Sequence, residues 1–435
     1  MKRALSILLL LMAFSATASI RCLDSVILDK DSLDALYNSG VDAYNDNDHN
    51  KAASLFLAAA RGGHAAAQYE YALCCYNGEG AEVNYDEAFS WFLKSAVQDY
   101  AAAQYSVGYC MENGCGVEAS PVEAADWYLK SASQGYVDAE CAVGVCYYSG
   151  IGVEQSYYVA VEWFTRAAEK GNAEAQSYLG SCYANGYAVV QDDEEAFRWY
   201  MKSADKGNLE GIYNLAFCYE CGIGVDANIH MAMKLYEKAA EFGFAEAQYA
   251  LALCYFDMDF KKEHEKALDW LYEAASNGYA DAQYMLAKFY FEGNILSKDA
   301  EKAVMWFTQA AAQGHADAQC DLGFCFLTGQ GTASNTHTAV LWFVKSAMQE
   351  NARACHYMGI CCYEGIGVNQ NYEKAVEWFT LAAEQEHPES QYYLGVCYYN
   401  GQGVAEDRAK GLKFLRKAKS GGSVEAKKAL VYLSE

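Results

Sequence analysis

The chain is poor in proline and in positive charge. Only two prolines, Pro121 and Pro388, occur in 435 residues, and proline is the residue that most strongly interrupts helices. Lysine and arginine number 32 against 57 aspartates and glutamates, which gives a net charge of −25 at pH 7. Nucleic acid and anionic membrane surfaces repel such a chain. We therefore expect neither of them as a partner.

Long apolar runs are also missing beyond the first residues. Residues 1–19 combine Lys2 and Arg3 with an apolar core and then small residues up to Ser19, which is the pattern of a secretory signal peptide. That core is shorter than the roughly 20 residues a helix needs to span a bilayer. We predict an exported protein, periplasmic or secreted, without membrane insertion once the signal is removed. The lumen of the endoplasmic reticulum is the alternative compartment.

One motif accounts for nearly all of the remaining chain. The stretch from Ala354 to Ala383 is repeated in frames that begin at Ala67, Ala103, Ala139, Ala175, Gly211, Ala247, Ala282, Ala318 and Ser390. The period is 36 residues, with a single 35-residue step between Ala247 and Ala282. A fixed period of this length is typical of a helical solenoid. We therefore predict an all-α fold of stacked helix pairs.

Each copy is predicted to hold two helices joined by a glycine turn. Small and apolar residues recur at helical spacing in both halves, as at Met358 and Cys361 and again at Ala375 and Trp378. Gly365-Ile-Gly367 lies between them, and glycine ends a helix readily because it adopts positive φ without strain. All eight tryptophans fall at one position of the second helix. We assign that position to the buried stripe.

The ends of the chain are variations on the repeat. We predict ten repeats over residues 67–425, preceded by a connector at 20–32 and a degenerate capping repeat at 33–66. Residues 426–435 begin a first helix that no second helix completes, and we predict that they form a C-terminal cap. Terminal units of a solenoid need such caps because nothing else covers their apolar faces.

The 17 cysteines divide into a regular and an irregular set. The regular set occupies one position of the first helix: Cys74, Cys110, Cys146, Cys182, Cys218, Cys254, Cys325, Cys361 and Cys397. Stacked helices lie about 8–10 Å apart, whereas a disulfide needs Cα atoms within about 7 Å. We therefore interpret this set as small buried apolar residues. The irregular set leaves room for one or two bridges: Cys22, Cys75, Cys115, Cys141, Cys221, Cys320, Cys355 and Cys362.

The repeated motif resembles the Sel-1-like repeat, a relative of the tetratricopeptide repeat. The strings that carry the resemblance are Ala175-Gln-Ser-Tyr-Leu-Gly180 and Gly401-Gln-Gly-Val404, followed in most copies by Lys-Ala-x-x-Trp. It covers the chain from Asp34 to Leu433. The resemblance implies a right-handed superhelical α-solenoid that acts as an adaptor for other proteins and not as a catalyst.

Similarity to the tetratricopeptide repeat also implies that the first helices line a concave groove. We count each leading small residue as position zero; positions four, five, seven and eight then face the core, and positions two, six and nine form a separate stripe. Tyrosine suits a binding surface because it offers apolar area and a hydroxyl. We expect position two to pack and positions six and nine to bind a protein or peptide. The candidates are Tyr76, Tyr109, Glu112, Tyr148, Phe217, Glu220, Phe256, Phe291, Phe324, Tyr363 and Tyr399.

The resemblance leaves one alternative class, because secreted cysteine-rich relatives have been linked to binding or cleaving β-lactam-type substrates. Catalysis needs a nucleophile, a base and an orienting group held together, and the eight histidines are scattered. His264-Glu265 lacks the second histidine of a zinc helix, and the C-x-x-C pair Cys218 and Cys221 stands alone. We therefore predict no enzyme activity, no catalytic residue, no metal and no cofactor, in a monomeric protein.

Overall fold

The computed structural model describes residues 29–257 and 261–433, with the backbone alone for residues 261 and 262. Every regular element in these residues is an α-helix. The helices are α1 (Lys30–Asn45), α2 (His49–Arg61), α3 (Ala65–Asn77), α4 (Tyr85–Ala96), α5 (Ala101–Asn113), α6 (Pro121–Ser133), α7 (Val137–Ser149), α8 (Tyr157–Glu169), α9 (Ala173–Asn185), α10 (Asp193–Asp205), α11 (Leu209–Cys221), α12 (Ile229–Glu241), α13 (Ala245–Phe256), α14 (Lys261–Ser276), α15 (Ala280–Glu292), α16 (Ala300–Ala312), α17 (Ala316–Thr328), α18 (Thr336–Ala347), α19 (Ala352–Glu364), α20 (Tyr372–Glu384), α21 (Pro388–Asn400), α22 (Arg408–Ser420) and α23 (Val424–Tyr432). The predicted signal peptide, Cys22 and most of the predicted connector lie outside the described residues.

The helices belong to two compact units. Unit 1 ends at Ala232 and unit 2 begins at Met233, so the boundary falls within α12. In each unit the odd-numbered helices are first helices and the even-numbered ones are second helices. Within a unit, a first helix packs on its own second helix, and that second helix packs on the next first helix. The predicted all-α solenoid of stacked helix pairs is thus confirmed.

Local sequence sets where the helices begin and end. The N-caps of second helices include Asn84, Asp192 and Asn371, whose side chains accept a hydrogen bond from the backbone N–H three residues on. First helices end at left-handed glycines such as Gly78 (φ 79°) and Gly365 (φ 75°). The glycine turn predicted between the two helices is confirmed.

The second glycine of each turn allows close contact between neighbouring hairpins. A Cβ on Gly116 would lie 2.1 Å from the carbonyl oxygen of Tyr85, and one on Gly403 would lie 2.2 Å from that of Tyr372. Both carbonyls belong to the start of the second helix in the preceding hairpin. The turn can approach this helix closely only because it carries no side chain. In the turn after α9 the same position is Ala188, which is held at φ 58°.

The interior of each hairpin is built by the residue that follows each tryptophan. Phe164 and Phe379 are fully buried, and each faces the glycine at position five of its own first helix. A Cβ on Gly144 would lie 2.5 Å from the Phe164 ring, and one on Gly359 would lie 2.4 Å from the Phe379 ring. The ring therefore packs directly on helix backbone.

The tryptophans pack at the edge of this interior, so their predicted place in the buried stripe is confirmed only in part. All eight are only half-buried. One residue along a helix corresponds to a turn of about 100°, and the neighbouring Phe or Tyr points at the first helix instead. Cations three residues on cover several of the tryptophan rings. The Lys94 and Lys202 amines lie 3.6 Å from the ring centroids of Trp91 and Trp199.

The regular cysteines are buried as predicted. None of the nine is more than 5% exposed, and none of the 16 cysteines in the described residues forms a disulfide. Burial raises the pKa of the Cys182 thiol to about 12 and that of Cys397 to about 11. Among the described cysteines, Cys115 is half-buried and Cys221 is exposed, whereas the others are buried.

This distribution predicts the order of thiol labelling. In a Cys22→Ser protein, we expect a thiol reagent at neutral pH to modify Cys221 and Cys115 first, and the regular cysteines only after unfolding, because both access and thiolate formation are suppressed by burial. The sites are mapped by mass spectrometry under native and denaturing conditions. A Cys221→Ser variant should lose the fastest phase. Rapid native labelling of Cys182 would contradict the packing described above.

Candidate functional site

Neighbouring first helices contact one another in both units. In unit 1, α7 contacts α9 and α9 contacts α11; in unit 2, α19 contacts α21 and α21 contacts α23. Side chains join neighbouring first helices as well: the Asn214 amide donates to Ser177 Oγ at 3.3 Å, and the Tyr284 hydroxyl donates to Asp321 at 3.1 Å. We call the side of the first helices that faces away from their own second helices the first-helix face.

Position six supplies the most exposed rings of this face. Tyr109 on α5 is 41% exposed and Phe217 on α11 is 43% exposed. The third candidate at this position, Phe324, is half-buried. Its ring lies 6.4 Å from that of Phe291 and 5.7 Å from that of Tyr357. Tyr109 and Phe217 therefore lie in unit 1 as apolar surface that the fold leaves uncovered.

Position-nine rings are half-buried, because they reach toward the next hairpin. Tyr148 lies within 5.6 Å of the Tyr157 and Tyr178 rings and 6.0 Å from that of Tyr187. Burial raises the pKa of Tyr148 to about 12. In unit 2, Tyr363 donates to Gln402 at 2.9 Å and packs on Tyr372 and Phe379.

The remaining position-nine rings follow the same pattern. Tyr76 contacts Cys115 Sγ through its hydroxyl at 3.8 Å, and Phe256 packs on Phe289 with ring centroids 5.5 Å apart. Phe291 packs on Phe307. Tyr399 lies under the guanidinium of Arg408, 5.4 Å from the ring centroid. Each of these rings keeps only part of its surface available to a partner.

The two candidate carboxylates differ in their surroundings. Glu112 is exposed, and it accepts a hydrogen bond of 2.6 Å from the buried Tyr128 hydroxyl. Burial and this carboxylate raise the pKa of Tyr128 above its ordinary value. Glu112 therefore helps to hold α5 against α6. Glu220, in the last turn of α11, is exposed.

Comparison with protein-family models decides the family. The model described as Sel1 repeat matches eleven consecutive segments that together run from residue 35 to residue 423. The chain belongs to the Sel1-repeat family. Sel1 repeats generally mediate protein–protein interactions, and the family generally consists of non-catalytic scaffolds. The segment 35–64, which the sequence suggested as a degenerate cap, is among the eleven matches.

Two solved structures support the assignment. A protective antigen present in uropathogenic Escherichia coli strains, which displays an SLR fold, is 31% identical, with a TM-score of 0.55 over 91% of this chain and 88% of that one. A Sel1 repeat protein from Oxalobacter formigenes is 31% identical, with a TM-score of 0.52 over 55% of this chain and 96% of that one. A search of curated proteins gives no match.

The structure also reveals a cluster that inspection of the Sel1 repeats one at a time missed. His356 on α19 and His387, the N-cap of α21, both contact the hydroxyl of Ser390, at 2.9 and 3.1 Å from their Nδ1 atoms. The period could have revealed it, because position two of one copy and position zero of the next lie on adjacent first helices. Ser390 is fully buried.

This cluster lacks the arrangement of a hydrolase. A serine–histidine–carboxylate triad uses the two ring nitrogens separately, whereas Nδ1 of His387 faces both Ser390 and, at 3.9 Å, Glu389. Among the residues with described side chains, no group of three or more His, Cys, Asp or Glu is placed to hold a metal ion. Across the described helices, none has the length and apolarity needed to cross a membrane.

The histidine cluster makes stability depend on pH. Burial, and then His387, lower the pKa of His356 to about 3 from an ordinary value of 6.5. The unfolded chain takes up this proton below pH 6.5 while the folded chain does not, so stability is present above pH 6.5 and is lost as the pH falls toward about 3. Between pH 7 and 4.5, we expect the folded protein to lose about 2–3 kcal/mol more than a His356→Phe variant.

Urea unfolding at both pH values measures this difference. An exposed histidine, His337, provides the control variant His337→Phe, whose pH dependence should follow the parent protein. Parallel curves for the parent and His356→Phe would show that His356 is not buried in the neutral form.

Proposed function

We propose that this Sel1-repeat protein is a scaffold that binds a peptide or partner protein along its first-helix face. The observation that carries the proposal is the exposure of Tyr109 and Phe217 on that face, at a position where the other hairpins of unit 1 place Leu73, Val145 and Ser181. A buried aromatic side chain contributes most of its binding energy through 150–250 Å² of apolar area. These two rings already present part of that area to solvent.

Half-buried rings extend the same surface. Tyr76, Tyr148, Tyr363 and Tyr399 each present one edge, and their inner edges are fixed by neighbouring rings or a cation. Rings whose orientation is already fixed lose little entropy when a partner binds. In unit 1, the surface that Tyr76 and Tyr148 line belongs to the binding site we propose. In unit 2, the corresponding surface is lined by Tyr363 and Tyr399, with Phe256, Phe291 and Phe324 as further contacts.

The compartment that we propose is outside the cytoplasm. The signal-like sequence of residues 1–19 supports export, and both similar solved proteins come from bacteria. Export from a bacterium is therefore preferred over the endoplasmic reticulum. The net charge of −25 argues against nucleic acid as the partner.

We propose further that α23 ends the stack and that the protein is a monomer. Val431 occupies position five of α23 and is 55% exposed. In complete hairpins this position is glycine or alanine, because a ring of the second helix lies against it, as Phe379 does on Gly359. A branched side chain here leaves no room for a further second helix, which supports the predicted capping role.

Replacement of the exposed rings tests the proposed function. Because more than half of each ring is covered in the folded chain, we expect Tyr109→Ala/Phe217→Ala to lower the unfolding free energy by about 2–4 kcal/mol without loss of the fold, and to weaken partner binding about tenfold or more. A photo-crosslinking residue at position 109 in the native host identifies the partner, and binding of the purified partner is then measured.

The matched control replaces exposed rings elsewhere. Tyr158 is 75% exposed and Phe242 is 72% exposed, and both lie outside the first helices. The variant Tyr158→Ala/Phe242→Ala should bind as the parent does. Equal affinity of the parent and the Tyr109→Ala/Phe217→Ala variant would refute the groove.

A further inference from the structure

Charge is segregated between the helices of unit 1. The complete first helices α3, α5, α7, α9 and α11 carry no lysine or arginine at all. Their charged residues are Glu70, Glu112, Asp138, Glu140, Glu174, Glu210 and Glu220. The cations of the described part of unit 1 lie on α1, on second helices or in the connections: Lys30, Lys51, Arg61, Lys94, Lys130, Arg166, Lys170, Arg198, Lys202 and Lys206.

Three of these carboxylates occupy the same position on successive first helices. Asp138, Glu174 and Glu210 each precede the leading small residue by one, on α7, α9 and α11. That position lies seven residues, or about two turns, before position six. The carboxylates therefore share a stripe with the position that Tyr109 and Phe217 occupy, and this surface carries both rings and negative charge.

One buried thiol is influenced by the charge of these carboxylates. Cys141 is 2% exposed. Burial raises the pKa of its thiol, and the charges of Glu174, Asp138 and Glu210 raise it further. Burial and the charge of Asp138 also raise the pKa of Glu174. The charges of Asp138 on α7 and Glu174 on α9 are therefore close enough to affect each other.

Within the described part of unit 1, no lysine or arginine forms an ion pair with Asp138 or Glu174. The cation that follows α8, Lys170, binds Glu140 instead at 2.7 Å, and Asp138 accepts a hydrogen bond from the neutral amide of Asn172 at 3.0 Å. In unit 2, α15, α19 and α23 carry cations of their own, whereas α13, α17 and α21 carry none. Lys288 pairs with Glu292 at 2.7 Å, and Arg353 pairs with Asp321. An uninterrupted series of first helices without a cation is therefore found in unit 1.

We propose that the first-helix face of unit 1 binds an extended basic peptide in which lysine or arginine recurs at every third residue. Cations meet Asp138 on α7, Glu174 on α9 and Glu210 on α11, and apolar residues that flank this basic run pack on Tyr109 of α5 or Phe217 of α11. This inference rests on the proposed function and specifies the chemistry of the partner.

The three-residue interval between cations follows from the distance between packed helices and the rise per residue of the peptide. Packed helices lie about 8–10 Å apart, and α7, α9 and α11 are in direct contact along the series. A polyproline-II segment advances about 3.1 Å per residue with three residues per turn, so every third side chain lies on one side about 9 Å further on. A β-strand would alternate its side chains and turn every second cation away.

Synthetic peptides test the proposal on the full chain. The spaced peptide contains five tandem Lys-Ala-Tyr units and carries fluorescein. A blocked peptide has the same composition with its lysines contiguous, and a neutral peptide has glutamine in place of lysine. Fluorescence anisotropy at low salt measures the affinities. We expect the spaced peptide to bind about tenfold more tightly than the neutral one and about threefold more tightly than the blocked one.

Matched variants locate the binding. Asp138→Asn/Glu174→Gln should weaken the spaced peptide about tenfold and leave the neutral peptide unchanged. Asp126→Asn/Glu162→Gln removes the same charge from exposed positions on α6 and α8 and should change the affinity less than about twofold. Circular dichroism confirms folding, and Glu174→Gln alone replaces the double variant where that variant does not fold.

The outcomes separate this inference from the proposed function. Suppose that the neutral peptide binds, that its affinity falls in the Tyr109→Ala/Phe217→Ala variant, and that lysine in the peptide does not raise the affinity. The proposed groove then stands, and the basic partner is rejected. Equal loss in the two charge variants, or equal binding of the spaced and blocked peptides, also rejects the inference. If no peptide binds, both the basic partner and peptide binding in the groove are rejected.

Discussion

The contact between position five of a first helix and the ring of its second helix sets the spacing of every hairpin. No residue larger than alanine occupies this position in the complete hairpins of the described chain, and Ala216, Ala252 and Ala287 are fully buried there. Because two backbones are held at a fixed distance, the same small residue and the same ring must return in each copy. The 36-residue period is thus a period of packing and does not by itself encode a chemical activity.

Glutamine side chains form one recurring polar contact between neighbouring hairpins. Gln104 donates to the carbonyl of Ala96 at 3.2 Å and accepts from Gln134 at 2.8 Å. These amides join the end of one hairpin to the start of the next. Position six of the first helices takes no part in this contact and varies through Leu73, Tyr109, Val145, Ser181, Phe217, Leu253, Lys288, Phe324, Ile360 and Val396.

The fold could be predicted from the sequence because the same packing constraints recur in every copy of the repeat. The details it missed depend on single turns of helix or on contacts between copies. Trp378 and Phe379 are both large and apolar, and only the direction of each Cα–Cβ bond decides which one enters the core. The exposure of Tyr148 depends on Tyr187 in the next copy, and Glu112 is engaged by Tyr128 from its own hairpin. The helical spacing of residues on one helix therefore predicts the face on which candidate residues lie, but it does not predict which of them remain exposed to a partner.

Exposed rings and carboxylates on the same surface have complementary effects on partner choice. An exposed aromatic patch alone favours indiscriminate association, including self-association. Negative charge around Tyr109 and Phe217 opposes that outcome, because a second copy of a chain with a net charge of −25 is repelled before its rings can make contact. A cationic partner gains from both features, since its charge is attracted while its apolar side chains cover the rings. Stacking of the hairpins sets the spacing between these groups, and the chemical identity of the groups determines which partners are favoured.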